Sequence, residues 1–367
     1  MDQLTTAFAA DFSLPHSYSA TSTNDFRLYL NSKLRAYQTA YNECCDRHAG
    51  SAVSLKAADS YKKTLTKLTG LLIESINQYY NGFPDSSYIT YKEFLDEFRK
   101  LPNLLPLKSV FPGTSYYRIR GSGSSIHDRR DLFHIPLTMR TKIANNRFSI
   151  AGFPTLYLSN SLYVAWEELK RPDVNKAYCS AFKSERIFAL LDLRKEMFLD
   201  ELSLKKTAGD IPSFLIKAIS FPLYFICSIK VCNPDDPFKP EYIFPQFTLR
   251  WARDVPSIQG VAYTSTRVHE QSEGLFYNLA LPVCYKCMEA TCDPFFCSNL
   301  AGLFSISEPQ LITNVSAFPT ITVDPLLEVD VKKYFSYECW DKAEYKNSVF
   351  YKMGQCLGNG LFDKIGP

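Results

Sequence analysis

Apolar residues recur at three- and four-residue steps through the first hundred positions. In "SYKKTLTKLTGLLIESINQYYNG" Leu65, Leu68, Leu72, Ile76 and Tyr79 keep that step, which predicts a helix that Gly82 can end. "NDFRLYLNSKLRAYQTAYNECCDRH" predicts another, with Asn24 or Asp25 as N-cap and a stop at Gly50. Thr90 and Glu93 read as a capping box opening a third helix, "YKEFLDEFRKL", which Pro102 closes. From "SVFPGTSYYRIRG" onward the pattern changes to short β-rich runs. "SYYRIR", "TLYLS", "RIFALLDL", "FPLYFICSIKV", "GVAYTST" and "LITNVSAF" are strand candidates, with helices predicted at "SLYVAWEELK" and "PQFTLRWARDV". "CNPDDPFKPEYIFP", with four prolines, predicts an extended loop. Strands and helices do not alternate regularly, so the expected class is α+β, with an all-helical region over residues 1–107 ahead of a β-rich remainder.

The most apolar stretch, "AISFPLYFICSI" (Ala218–Ile229), is twelve residues long and flanked by lysines. A bilayer span needs about 20 residues, so it reads as a buried strand and no membrane partner is expected. The start of the chain lacks a basic, apolar leader, and eleven scattered cysteines then fit reduced thiols in a cytoplasm. At 367 residues, 46% hydrophobic and 22% charged, the chain can bury two cores. A net charge of +3 is too near neutral to imply a nucleic-acid partner. Between Arg118 and Arg147, however, seven cations face two anions.

Several motifs fall short of a chemistry. "GSGSS" (Gly121–Ser125) lacks the third glycine and the following helix of a dinucleotide fingerprint, and a loop is the better account. Cys284, Cys287, Cys292 and Cys297 could make a zinc site, but their crowding suits reduced cysteines better, and no metal is expected. His127, His134 and His269 stand isolated.

More informative are polar residues embedded in apolar runs: Arg118 in "SYYRIR", Arg147 before "FSIAG", Tyr157 in "TLYLS", Glu168 on the helix after it, and Ser265 ending "GVAYTST". Singly, each has a plain structural explanation. Together, "YYRIR", "RFSIAGFPTLYLSNSLYVAWEE", "PQFTLRWARDVPSIQGVAYTST" and the downstream "LALPV" resemble the RES-domain family, toxin partners of bacterial Xre-type antitoxins. The resemblance covers about residues 108–315 of a domain expected over 108–367 with a C-terminal tail. Asn146 stands where the family usually has glycine, and the helix offers Glu167 beside Glu168, the spacing from Ala165 favouring Glu168.

The resemblance implies an ADP-ribosyltransferase-like split β-core with flanking helices, and an enzyme that cleaves the nicotinamide–ribose bond of NAD⁺ as a glycohydrolase or phosphorylase. NAD⁺ is then substrate, and no further cofactor is implied. Glu168 would stabilise the oxocarbenium-like ribose, Arg118 and Arg147 would take the pyrophosphate, Tyr157 would pack on the nicotinamide, and Ser265 would hydrogen-bond the amide or a ribose hydroxyl. A cognate antitoxin is implied, with nucleic acid met only through it, and a homo-oligomer stays open. A transferase acting on a protein target, and a non-catalytic binding protein on the same fold, are the alternatives.

Overall fold

The computed structural model describes residues 12, 14–18, 26–101, 104–121, 125–196, 198, 210–268, 276–283, 298–318 and 342–364. In chain order the elements are helices α1 (Phe26–His48), α2 (Leu55–Tyr80) and α3 (Pro84–Lys100), strands β1 (Leu107–Val110), β2 (Ser115–Gly121) and β3 (Thr155–Ser159), then α4 (Leu162–Glu168), β4 (Ala177–Ser184) and β5 (Phe188–Leu193). Next come α5 (Ile211–Ala218), α6 (Phe221–Ser228), α7 (Ile243–Asp254), β6 (Val261–Thr264), β7 (Tyr277–Pro282) and α8 (Ser298–Ala301). Strands β8 (Phe304–Ser307) and β9 (Gln310–Leu311), helices α9 (Lys342–Asn347) and α10 (Val349–Gly358), and β10 (Phe362–Lys364) complete the series. The class is mixed α+β. The chain divides into two units: Met1–Leu107 with Leu191–Asp254, and Lys108–Leu190 with Val255–Pro367. Leu107 and Lys108 fall in different units, and Leu191–Asp254 groups with the helical one.

In the helical unit α1 buries Leu30, Leu34, Tyr37, Tyr41, Cys44 and Cys45, and α2 buries Leu65, Leu68, Leu72 and Ile76. These are the periodic positions of the sequence, since 3.6 residues per turn places them on one stripe. Gly82 ends the α2–α3 corner at φ +88°, a left-handed conformation that suits glycine. Helix α3 begins at Pro84, six residues before the expected capping box. Thr90 lies mid-helix with its hydroxyl on Gln78, because Pro84 supplies a first-turn residue that needs no N–H partner.

The stretch expected as a buried strand is instead α5 and α6, and its burial is real: Phe221 through Cys227 are all buried. Tyr37 and Tyr41 donate to the carbonyls of Ala218 and Leu215, and Tyr37 stacks on Phe221 with ring centroids 4.1 Å apart. Among the described residues no single helix is long and apolar enough to cross a membrane; the bent α5–α6 pair meets that test only jointly, by length and composition. Part of the proline-rich loop is also helical, with a 3₁₀ turn at Pro240–Tyr242 leading into α7. "LITNVSAF" likewise holds a 3₁₀ turn at Ile312–Asn314 rather than a strand.

The second unit is built on a sheet of order β1-β5-β6-β7-β3-β2-β4-β8-β10, with β9 beside β8 on the same edge of β4. From β6 to β10 every pairing is antiparallel. Alternation sends Tyr116, Leu156, Leu158, Phe182, Leu279 and Leu281 to one core. Tyr117, Ile119, Ala177, Cys179 and Ala181 go to the other, covered by α4 and α10. Gly354 of α10 lies against the Tyr117 ring, whose hydroxyl donates to its carbonyl at 3.0 Å. Central strands β2 and β3 share a single register pair, Tyr117 with Ser159, whereas β3 and β7 share five. The sheet is therefore weakly closed where the polar residues gather.

Candidate active site

Helix α4 starts at Ser161, whose hydroxyl accepts from the Val164 N–H at 3.2 Å. It stops one turn after Ala165 because Lys170 and Arg171 adopt φ of 59° and 58°. Two consecutive left-handed residues with side chains cost about 1–2 kcal/mol each, so the stop is enforced by its surroundings. The reversal brings Arg171 back onto Glu167, with its Nε 3.0 Å from Oε2 and Nη2 2.9 Å from Oε1. Glu167, 6% exposed, is thereby bound in a bidentate pair.

Glu168 turns the other way. Its Oε1 accepts from the Ser265 hydroxyl at 2.7 Å and from the Asn278 side-chain amide at 2.7 Å. Its Oε2 lies 3.4 Å from Arg267 Nε, and the carboxyl is 31% exposed. At the C-terminal end of a helix the macrodipole disfavours an anion, and these donors offset that cost. Ser265 follows β6 and is 3% exposed; Asn278 lies on β7 and is 2% exposed. Behind Asn278, the Ser159 hydroxyl donates to its Oδ1 at 2.6 Å.

Arg118 and Tyr157 form a second contact. Where β2 leaves β3, Arg118 Nη1 donates to the Tyr157 carbonyl at 2.9 Å, replacing a missing ladder bond. Its Nε is buried without a hydrogen-bond partner, and no carboxylate pairs with it among the described residues. Burial, with a smaller push from the Arg120 charge, pulls its ionisation from the ordinary guanidinium range down to about 10. It is a charged guanidinium at neutral pH without a counterion among the described residues. His134, buried, has its ionisation lowered by burial and further by the Arg118 charge, while Nδ1 lies 3.0 Å from the Ile135 carbonyl.

Arg147 is half-buried in a turn where Asn146 and Ser149 exchange backbone hydrogen bonds of 3.0 and 3.1 Å. Its neighbour Phe148 packs on Tyr263 of β6, ring centroids 4.5 Å apart. That contact fixes the Arg147 turn beside the strand leading to Ser265. So the structure joins Glu168 to Ser265, joins Arg118 to Tyr157, and sets Arg147 on a turn packed against β6. Asn278, Arg267 and Ser159 were not singled out in the sequence. The local signal for Asn278 is an amide inside the apolar run "YNLALP".

Residues 116–295, which span all of these side chains, match the family model described as RES domain. The chain belongs to the RES-domain family. A protein of Bacillus subtilis (strain 168) named Putative toxin YopC is 31% identical over 307 residues, covering 79% of this chain and 66% of that protein. The chain thus spans just under two thirds of that relative's length. No solved structure matches it. The RES-domain match excludes the α1–α3 helices. Of the expected sites, Cys284–Cys297, His269 and Ser122–Ser124 lie outside the described residues. No cluster of three or more metal-ligating side chains occurs among those described.

Proposed function

We propose that this RES-domain protein cleaves the nicotinamide–ribose bond of NAD⁺, passing the ADP-ribosyl group to water or phosphate. We propose too that it acts as a toxin restrained by an antitoxin partner, as the family and the relative's name suggest. The observation that carries the reading is the Glu168 carboxylate. One of its oxygens is fixed by Ser265 and Asn278, and among the described residues the other meets only an arginine that is 44% exposed.

As nicotinamide leaves, positive charge builds on the ribose, as in glycoside cleavage. A carboxylate held in place beforehand stabilises that charge without reorganising at the moment of reaction. Arg118 supplies a partly desolvated cation with which, among the described residues, no carboxylate pairs, and this suits the pyrophosphate. Arg147, on its braced turn, is the second candidate for that anion. Tyr157, half-buried on β3, is the candidate ring for the nicotinamide. Ser265 has its one hydroxyl proton aimed at Glu168, so its role shifts from contacting substrate to holding the carboxylate.

Incubation of the purified chain with NAD⁺ labelled in the adenylate portion, with and without phosphate, tests the reading. Free ADP-ribose, or its phosphorylated form when phosphate is present, is expected. Label retained on protein would favour a transferase, and intact NAD⁺ in every arm would overturn the proposal.

A further inference from the structure

Glu168 is one end of a directed hydrogen-bond chain whose polarity can be deduced. An ionised carboxylate only accepts, so Asn278 must turn its amide nitrogen to Glu168. Its carbonyl Oδ1 then faces Ser159, which must donate its hydroxyl proton there at 2.6 Å. Ser159 and Asn278 are paired across β3 and β7 and are 5% and 2% exposed. Neither touches solvent enough to need the other for solubility, and a sheet is as well served at such positions by apolar side chains. Two buried polar residues opposed across a ladder, with every polar end satisfied, specify one arrangement.

From this geometry we infer that Asn278, oriented by Ser159, is a positioning residue that dedicates Glu168 Oε1 to the protein and leaves Oε2 as the oxygen that meets the ribose. With Ser265 and Asn278 both donating to Oε1, the carboxyl plane cannot rotate without breaking two 2.7 Å bonds. Arg267, at 3.4 Å on Oε2 and exposed, is the contact that gives way to substrate. The inference rests on the proposed role of Glu168 and names the groups that make it effective.

Asn278→Asp is the sharpest test, because it keeps the size and the acceptor toward Ser159 while replacing the donor toward Glu168 with a second carboxylate. Displacing a catalytic group by about 1 Å can cost on the order of 10²-fold, so kcat for nicotinamide release should fall by about that factor with KM within threefold. Ser159→Ala should lower kcat less, and Ser159→Thr, which keeps the hydroxyl, should restore it. Wild-type kcat in Asn278→Asp, beside an inactive Glu168→Ala control, would overturn the inference and leave the proposed function standing.

A second arm needs no turnover and tests the coupling of Asn278 to Glu168 separately from NAD⁺ cleavage. Asn278→Asp should lower Tm by roughly 2–4 °C through the facing carboxylates. Adding Glu168→Gln should recover that loss, because the new amide can donate to Asp at 278. A Tm loss unchanged by Glu168→Gln would mean that Asn278 does not act on Glu168 at all.

Discussion

Arg118 offers a prediction in which stability and function should part. In the free protein it is a half-buried cation whose Nη1 donates to one carbonyl, with a buried Nε that has no partner and no carboxylate beside it among the described residues. Burial pulls its ionisation from the ordinary guanidinium range down to about 10, and at 1.36 kcal/mol per pH unit that drop is a penalty of about 3 kcal/mol against the folded state. The sign follows from proton binding. Above about pH 10 and below the ordinary guanidinium range, the unfolded chain holds a proton that the folded one does not, so stability rises with pH there. Below pH 10 the penalty is present in full. Arg118→Met keeps the length and removes the charge. It also removes the hydrogen bond to the Tyr157 carbonyl, a loss of about 1.5–3 kcal/mol. The two effects nearly cancel, so urea unfolding at pH 7 should give a stability within about 1 kcal/mol of wild type, or above it. Substrate binding should not be spared. Loss of a desolvated cation from an anion site costs about 2–5 kcal/mol, which is at least about 30-fold in affinity for NAD⁺ by titration calorimetry. A variant destabilised by more than 3 kcal/mol, or one that binds NAD⁺ like wild type, would show that Arg118 is a structural residue and refute the anion-site argument.

Three further outcomes follow from the same geometry. Glu168→Gln should lower kcat by on the order of 10²–10³-fold, whereas Glu167→Gln should stay within a few-fold and instead lose about 1–3 kcal/mol of stability as Arg171 is released; the reverse ranking in a kinetic assay would put the chemistry on the wrong glutamate. Burial keeps His134 neutral in the folded protein, so stability should fall as pH drops below about 6.5, where the unfolded chain takes up the proton. Thermal unfolding of His134→Asn between pH 7 and 5 should show a smaller loss than wild type, and an equal loss would exclude His134 as a source. Gly260→Ala would drive a methyl into the Ala280 carbonyl and Leu281 at the start of β6, so about 1–3 kcal/mol should be lost by urea unfolding; an unchanged midpoint would mean the strand end is free to shift.

What the sequence reveals here depends on how local each signal is. Strands β2 and β3 were legible because alternation is a property of the strand itself: Tyr116, Ile119, Leu156 and Leu158 declare which positions face a core. Helix α6 was not, since all residues from Phe221 to Cys227 are buried and a uniformly buried run has no period to read. Pro222 in its first turn was the signal available, because proline fits the start of a helix better than the middle of a buried strand. Glu167 and Glu168 were ambiguous for a related reason. Adjacent helix positions differ by about 100° of rotation, and only Arg171, returned by two left-handed residues, shows which one is bound away. Asn278 and Arg267 reach Glu168 from 110 and 99 residues further along the chain, and no spacing rule spans a sheet crossover. The return of Leu191–Asp254 to the helical unit was hidden for the same reason.

The decisive measurement is release of nicotinamide from NAD⁺ by the purified chain, followed beside Glu168→Ala. Release by the wild type that falls by at least about 10²-fold in the variant is expected. Equal release by both, or none from the wild type with and without phosphate, would contradict it.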